Sequence, residues 1–376
     1  MLIFIIARSL EENEKMKQHD IEMRPYGPTA GREHIEGVSN RPKTLTVDLH
    51  NHVRTPDADI LVKPHLPKDF HPSVGVASEL TMNTNKKQSE DREIPFTDIN
   101  IRLAQMDKSL LDVSALSCSP QQFFYMVDKN LCAESAEIIN NNIANTVKTN
   151  PQRLTGLGTV PLQNTDLAIK ELERCFKLGF KGIQIGARVG NEELSAPRLE
   201  PFWKRCEELD ILIFIHPSSF YSDRFGEHYM LNVIGNPLDT SVAVHYLIFD
   251  GVMARYPKIK FYLSHGGAFP ASYAARMDHA YGARIDARQK IYEKPTTYLK
   301  QFYFDTLVFA VDQLEFLIKK YGADHVAIGT DYPADMAEHD PVEHVYQVES
   351  ITEEDREKIC GLNALKLLNL SESDFK

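Results

Sequence analysis

The chain alternates short apolar runs with longer amphipathic ones, and this alternation limits the fold more than any other feature. Eight apolar runs are strand candidates: 45–49, 113–117, 154–160, 182–185, 211–215, 259–263, 302–304 and 326–328. Most are too continuously apolar for a half-exposed strand, as expected for parallel strands covered on both faces. Helical patterns such as 166–178 and 199–209 lie between them. Eight units of this kind predict an α/β fold, a (β/α)8 TIM barrel, because an open doubly wound sheet, the alternative, more often has about five to seven strands.

The two ends of this pattern define the predicted domains. Residues 1–44 are mostly polar and carry several Pro and Gly, which predicts an N-terminal extension that forms an arm or is disordered. The apolar residues at its start are too few for a membrane span or a signal-peptide core. Residues 45–376 are predicted to form the barrel, with an insertion at about 53–98 after the first strand.

Charge and cysteine usage exclude several classes of function. The formal net charge is −11, which argues against binding to nucleic acid or to an anionic membrane. The five cysteines are scattered, with no CxxC pair, which favours reduced thiols and a cytoplasmic protein. We find no dinucleotide fingerprint, no Gly-rich phosphate loop and no nucleophile elbow.

Histidine and aspartate side chains follow several of the predicted strands. His50 and His52 are two residues apart, so in an extended strand they project to the same side. His216, His265 and Asp331 come directly after three other strands. One histidine at a strand end is usually a core or loop residue, but convergence from four strands is poorly explained in that way. Barrel enzymes carry their chemistry at this end, so the pattern predicts a metal site there.

Four motifs carry a resemblance to a known family: DLHNH at 48–52, FIHP at 214–217, SHGGAFP at 264–270 and GTDYP at 329–333. They resemble the metal-dependent amidohydrolase superfamily, in particular the branch of aminocarboxymuconate semialdehyde decarboxylase. The resemblance extends over most of 45–370. Members of this branch are (β/α)8 barrels with one divalent metal, usually zinc and sometimes manganese, and many are non-oxidative decarboxylases.

The resemblance implies a role for each strand-end residue. His50, His52, His216 and Asp331 would be the metal ligands, and His265 would hold the water beside the metal and act as a base. The alternative for His265 is a further ligand or an orienting partner. Two-metal relatives carry a carboxylated lysine at the end of the fourth strand, whereas this strand ends IQIGA at 183–187. We therefore expect one ion, Zn²⁺ in the first instance and Mn²⁺ as the alternative.

The residues that would bind substrate are less well defined by the sequence. Arg276 matches an arginine that, in the resembling decarboxylase, reaches the substrate carboxylate from a neighbouring subunit, so we expect a homodimer. Phe220, Phe269 and Tyr332 could line a pocket for a flat ring. The run from Asn85 to Arg92 could supply a further cation, although a solvated charge run is the simpler interpretation.

These features together predict a metal-dependent non-oxidative decarboxylase of a small aromatic or muconate-type carboxylic acid. His265 or Asp331 would assist protonation of the carbon that loses CO₂. A hydrolase or hydratase acting on a lactone, an amide or an unsaturated acid is the alternative. A non-catalytic metal-binding scaffold is a third hypothesis, and the presence of every expected ligand argues against it.

Overall fold

The computed structural model describes residues 40–67, 76–218 and 220–376, and its main element is a parallel sheet curled into a barrel. The strands are β1 (Val47–Asp48), β2 (His52–Val53), β3 (Val113–Cys118), β4 (Leu154–Gly158), β5 (Gly182–Gly186), β6 (Arg188–Val189), β7 (Glu192–Glu193), β8 (Leu212–His216), β9 (Lys260–Leu263), β10 (Tyr303–Asp305) and β11 (Val326–Ala327). The short strands β6 and β7 form a separate antiparallel hairpin.

The barrel strands follow one another in chain order. The order is β1, β3, β4, β5, β8, β9, β10 and β11, and β2 continues the first position by also pairing with β3. The first and last positions meet, because Asn51 forms a parallel bridge with Tyr332. The backbone N–H of Leu49 donates to the Ile328 carbonyl at 3.0 Å, which also joins these two positions. Each of the eight predicted strands overlaps an observed strand, so the barrel prediction is confirmed.

Helices connect the strands and cover the outside of the sheet. They are α1 (Pro56–Val62), α2 (Glu79–Thr97), α3 (Ile99–Lys108), α4 (Lys129–Thr149), α5 (Thr165–Lys177), α6 (Glu200–Glu208), α7 (Asn236–Phe249), α8 (Val252–Arg255), α9 (Ala268–Tyr273), α10 (Ala275–Ala283), α11 (Pro295–Leu299), α12 (Val311–Tyr321), α13 (Pro341–Tyr346), α14 (Glu353–Glu357) and α15 (Asn363–Leu367). Side-chain caps fix several starts, as where Asn164 accepts the Leu167 N–H at 3.0 Å at the start of α5.

Two apolar cores hold the barrel together. The larger core lies between the sheet and the surrounding helices, and the smaller core includes Leu49, Val113, Leu212 and Phe214. Since side chains alternate along a strand, His216 points to the same side as Leu212 and Phe214. The smaller core therefore fills the barrel interior below the strand ends, and it supports the polar residues above it.

The remaining sequence-based expectations concern the N-terminal extension, the insertion, the cysteines and membrane-spanning helices. The predicted N-terminal extension lies almost entirely outside the described residues, while the predicted insertion contains α1 and α2. All five cysteines are buried, unpaired thiols. In the three described ranges no helix combines the length and apolar character needed to cross a bilayer.

Candidate metal centre

Four buried side chains meet at the carboxyl ends of the barrel strands. His50, His52, His216 and Asp331 each offer one ligand-type atom, and these atoms all lie within 4.8 Å of one another. Asp331 Oδ1 lies 3.4 Å from His50 Nε2 and 3.0 Å from His52 Nε2. Two ligand atoms that share an ion at about 2.1 Å are themselves roughly 3.0 to 3.4 Å apart, so the spacing suits a common ion. The structure thus brings together the four residues predicted as ligands.

Each histidine of the cluster is oriented by an acceptor on its other ring nitrogen. Nδ1 of His50 lies 2.7 Å from Asp305 Oδ2, Nδ1 of His52 lies 3.1 Å from the Cys118 carbonyl, and Nδ1 of His216 lies 2.7 Å from the Pro217 carbonyl. These acceptors require the proton to be on Nδ1, which leaves a lone pair on Nε2. All three Nε2 atoms are buried and make no hydrogen bond with any described residue. Buried nitrogen atoms without a hydrogen bond fit a metal site, because an ion would satisfy all of them together.

The electrostatics of the cluster also suit a cation. Burial lowers the pKa of His52 and of His216, so their imidazoles stay neutral, as metal ligation requires. Burial alone would lower the pKa of His50, but the adjacent carboxylates of Asp305 and Asp331 raise it to about 10. A positive charge is therefore stabilised at this point of the cluster, and a divalent ion would supply it.

His265 lies beside the four ligand-type residues rather than among them. Its Nε2 is 3.7 Å from Asp331 Oδ2, and its ring centroid is 5.2 Å from that of His216. Its backbone φ is +55°, in the left-handed region, and its backbone N–H donates to Asp305 Oδ2 at 2.8 Å. The side chain is therefore held next to the cluster by its backbone as well as by its position after β9.

Asp305 links the metal cluster to the His265 loop, and the sequence analysis missed it. The carboxylate is fully buried and faces His50, and it also accepts the N–H groups of His265 at 2.8 Å and Gly266 at 2.6 Å. One carboxylate thus orients a ligand and fixes the segment that carries the second histidine. The signal was its place directly after the seventh predicted strand, at 302–304. Asp305, like the histidines of the site, follows a barrel strand at its carboxyl end.

A buried arginine, Arg102 on α3, forms hydrogen bonds with the segment that carries His50 and His52. Its guanidinium donates to Asn51 Oδ1 at 3.0 Å and to the His52 carbonyl, and it stacks over the Tyr332 ring at 4.9 Å. Burial lowers its pKa to about 10, so it stays charged at neutral pH. The first and last barrel segments are thereby joined next to the cluster. No strand-end signal identifies this residue, because it lies on a helix.

The cluster opens into a cavity of about 410 Å³. His52, His216 and Asp331 contribute to its wall, together with aromatic side chains from the loop after β3. Among these, Phe123 and Tyr125 stack with ring centroids 5.6 Å apart. A cavity of this size, with an aromatic wall and a polar cluster at one end, suits a small planar ligand.

The predicted substrate residues lie elsewhere in the single chain. Phe220, Phe269, Tyr332 and Arg276 are not among the described residues that line this cavity. Phe269 is 44% exposed and Arg276 lies on the exposed surface of α10, while Tyr332 packs against Arg102. Their proposed contacts with substrate stay predictions, and for Arg276 the prediction already required a second subunit.

Comparison with known proteins adds independent evidence on the family. A family model described as Amidohydrolase matches residues 47–370. The chain is 32% identical over 343 residues to the 2-amino-3-carboxymuconate-6-semialdehyde decarboxylase of Dictyostelium discoideum, an alignment that covers 89% of this chain and 94% of that protein.

Two solved structures show the same fold. The 5-carboxyvanillate decarboxylase of Sphingomonas paucimobilis superposes with a TM-score of 0.78 at 23% identity, covering 88% of this chain and all of that one. A dihydroxybenzoic acid decarboxylase of Polaromonas, solved with bound manganese and 2-nitroresorcinol, gives a TM-score of 0.74 at 24% identity, covering 87% of this chain and 97% of that one. The family match over most of the chain is decisive, and the protein belongs to the amidohydrolase family.

Proposed function

We propose that the protein is a metal-dependent non-oxidative decarboxylase of a small aromatic or muconate-type carboxylic acid. The observation that carries the proposal is the group of three buried Nε2 lone pairs and one carboxylate at the end of an aromatic-walled cavity. The relative from Dictyostelium discoideum, aligned over nearly its whole length, is itself a decarboxylase.

His50, His52, His216 and Asp331 would hold one divalent ion. When bound, the ion supplies a positive charge that attracts a substrate oxygen and stabilises the negative charge that grows there during the reaction. Three imidazole nitrogens and one carboxylate suit Zn²⁺, and we propose it as the first candidate. Mn²⁺ is the alternative, since the Polaromonas structure contains manganese.

We assign the movement of the proton to His265 together with Asp331. Loss of CO₂ leaves an electron pair on the substrate carbon, and that carbon must gain one proton from the protein or from solvent. Burial alone would raise the pKa of Asp331, but the neighbouring imidazoles of His265 and His50 hold it well below its usual range. Asp331 is therefore an anion beside the His265 imidazole. His265, 3.7 Å from it, is placed to carry the proton.

Substrate binding would combine groups from two subunits. The aromatic wall would pack against the flat part of the substrate, and Arg276 of a second copy would reach a carboxylate. Phe220, Phe269 and Tyr332 would complete the surroundings of the site in a homodimer. The only ligand that we propose besides the metal is the small carboxylic acid substrate. We further propose that the enzyme is cytoplasmic.

The reaction is tested by following two products of each turnover. Metal-loaded enzyme is incubated with hydroxybenzoates, an aminomuconate and lactones in D₂O, while CO₂ and deuterium in the product carbon are measured. Decarboxylation gives one CO₂ and one solvent-derived hydrogen per turnover. Opening of a lactone or addition of water without CO₂ would reject the decarboxylase and favour the hydrolase or hydratase.

A further inference from the structure

Asp239, in the first turn of α7, is a buried carboxylate outside the metal cluster. Its Oδ1 atom lies 3.3 Å from Nε of Arg188, and its Oδ2 atom accepts the Ser218 N–H at 3.2 Å. Arg188 follows β5 and Ser218 follows β8, so one carboxylate holds two loops at the carboxyl ends of the barrel strands. A carboxylate removed from water is costly unless charged and hydrogen-bonding groups satisfy it, and these two loops supply them.

The hydrogen bond with Ser218 reaches His216 through a single peptide group. The Ser218 N–H and the Pro217 carbonyl belong to the same peptide, which is planar and trans, so they point in opposite directions. The carbonyl accepts the His216 Nδ1 hydrogen at 2.7 Å. Because the peptide is rigid, the carboxylate that holds its N–H also fixes the direction of its carbonyl. Asp239 thereby restrains the ring that presents Nε2 to the cluster.

The negative charge of Asp239 also strengthens the hydrogen bond on the other side of this peptide. A carboxylate on the N–H polarises the peptide group and makes its carbonyl a stronger acceptor. A stronger acceptor on Nδ1 makes Nε2 of the imidazole a better metal ligand. His50 has its carboxylate, Asp305, directly on Nδ1, whereas His216 has one at a distance of one peptide.

His52 provides an internal comparison. Its Nδ1 lies 3.1 Å from the Cys118 carbonyl, and the N–H of that peptide, from Ser119, donates to the Val53 carbonyl at 2.8 Å. This peptide therefore ends on a neutral acceptor rather than on a charge. The shorter hydrogen bond at His216, 2.7 Å against 3.1 Å, agrees with a more polarised carbonyl there.

Arg188 stabilises the charge of Asp239 at this buried position. Burial raises the pKa of Asp239, while the charge of Arg188 and the N–H of Ser218 oppose this. The guanidinium is itself held in place, because it donates to the Gly190 carbonyl at 2.9 Å within the β6–β7 hairpin. Loss of Arg188 would leave the buried carboxylate without its charged partner.

We propose that Asp239, supported by Arg188, is a positioning residue of the metal site and acts on His216 through the peptide group of Pro217 and Ser218. This connection is called the peptide relay below. The inference rests on the proposed metal site and adds a carboxylate to its support. Asp239 is not among the described residues that line the cavity, so the effect expected is on the ion rather than on contacts with substrate.

The affinity for Zn²⁺, measured by competition with a chelator, tests the relay without turnover. Asp239→Asn keeps an acceptor for Ser218 but removes the charge, so the affinity should fall by about 10-fold, the lower end of the usual loss when the partner of a ligand is changed.

Asp250→Asn is the matched control for this measurement. Asp250 lies at the other end of α7 and is paired in a similar way, with Lys290 at 2.8 Å and Ser195 at 2.6 Å, but it has no link to a ligand-type residue. Its replacement should change the affinity by less than about twofold. An unchanged affinity in Asp239→Asn, or an equal loss in Asp250→Asn, would overturn the relay.

Proton NMR of the Zn²⁺-loaded protein tests the route through His216. The three histidines of the cluster each carry a hydrogen-bonded Nδ1–H, whose signal lies downfield of the amides. Asp239→Asn should move one of these signals upfield, and Asp305→Asn should move a different one, since Asp305 accepts from His50. A carboxylate that acted only through its field at the ion would move all three. A shift of all three signals together, or of none, would reject the relay.

A second variant decides the case if circular dichroism shows that Asp239→Asn does not fold. Arg188→Met leaves Asp239 and Ser218 in place but removes the charged partner of the carboxylate, so the affinity for Zn²⁺ should fall by at least about threefold. The NMR signal that moves should again differ from the one that Asp305→Asn moves. Lys290→Met, which removes the partner of Asp250, is the control and should change neither. An unchanged affinity in Arg188→Met would then overturn the proposal.

The peptide relay and the proposed reaction can fail separately. If affinity and NMR give the expected results while no acid tested releases CO₂, the positioning role of Asp239 stands and the decarboxylase proposal fails. If CO₂ is released while Asp239→Asn leaves the affinity for Zn²⁺ unchanged, the reaction stands and the relay is rejected.

Discussion

The three histidines of the metal cluster each have a hydrogen-bond acceptor outside the cluster. A buried imidazole can present its Nε2 lone pair only if Nδ1 has an acceptor, and each of the three histidines has a different one. Two of these acceptors are backbone carbonyl groups and one is the side chain of Asp305. The tautomers are therefore set by the fold before any ion arrives.

Removing one ligand should remove most of the bound metal. Purified protein is expected to carry close to one divalent ion per chain, and His50→Ala or His216→Ala should lose most of it, because the remaining three ligands leave the shell open. Metal analysis by mass spectrometry measures this. His65→Ala, an exposed histidine away from the cluster, is the control. Two tightly bound ions per chain would contradict a mononuclear site.

His265→Ala should separate catalysis from metal binding. If His265 carries the proton, the variant keeps its metal and loses turnover by about 100- to 10,000-fold, the usual size of such a contribution. Metal content and turnover are measured on the same preparation. Metal loss as severe as in His50→Ala would make His265 a ligand instead.

Asp305→Asn should lower the affinity for the metal although it replaces none of the four ligand-type residues. The amide cannot hold the His50 proton as a carboxylate does, so we expect metal affinity to fall by about 10- to 100-fold. Competition with a chelator measures this affinity. Asp305→Ala should in addition lower the free energy of unfolding, since buried N–H groups of His265 and Gly266 lose their acceptor. Wild-type affinity in Asp305→Asn would remove Asp305 from the metal site.

At the level of elements, the barrel depends on close contact between the helical segment Lys358–Leu362, which joins α14 to α15, and the chain just before β1. Gly361 lies in that segment, where a Cβ atom would be 1.8 Å from the Leu45 carbonyl oxygen. This is far inside van der Waals contact, and the obstacle is backbone that cannot rotate away. The glycine therefore allows the segment to pack under β1.

Gly361→Ala should be strongly destabilising, by about 3 kcal/mol or more in the free energy of unfolding, because the segment or the first strand must move. Gly282→Ala is the matched control, because it lies in α10 and, apart from its chain neighbours and its own helix backbone, no atom of the described residues is within 4 Å of its added Cβ. Helix propensity predicts a gain of up to about 1 kcal/mol. Denaturant unfolding compares the two. Equal stabilities of the two variants would contradict the steric argument.

The two faces of helix α2 have different surroundings, which the sequence does not show. Its many charged residues suggest a solvent-exposed helix, and its outer face is indeed exposed to solvent. The inner face became visible only when the helix was placed over the cavity, where Arg92 turns inward while Lys86 and Lys87 remain outside. Helical spacing alone does not tell which face is covered when neither face is apolar.

At the level of the whole molecule, we expect a homodimer whose sites are completed by the partner's Arg276. Arg276→Ala should weaken substrate binding or turnover without unfolding the barrel, because Arg276 lies on the surface of α10. Mixed dimers of Arg276→Ala and His50→Ala should recover up to roughly one quarter of wild-type activity, since half of the dimers contain one intact site. Light scattering measures the assembly. Absence of recovery in verified mixed dimers would place Arg276 in its own subunit's site or outside catalysis.

The sequence by itself determined the barrel and the ligand-type residues. Eight mostly apolar runs favour a sheet that is covered on both faces, and that pattern is local to each run. The four ligand-type residues and His265 could be identified because parallel strands bring their carboxyl ends to one edge, whatever the details of packing. The seventh and eighth strands were correctly predicted despite being short, since the alternation with helices continued through them.

Only the tertiary structure decided which other residues surround the cluster. Asp305 and Arg102 act on it through contacts across more than fifty positions of sequence, and their burial next to charged partners depends on how the first and last strands meet. Phe123 and Tyr125 line the cavity, whereas the predicted Phe220, Phe269 and Tyr332 do not in the described single chain. Loop direction and helix rotation arise from packing between distant segments, and no local pattern encodes them.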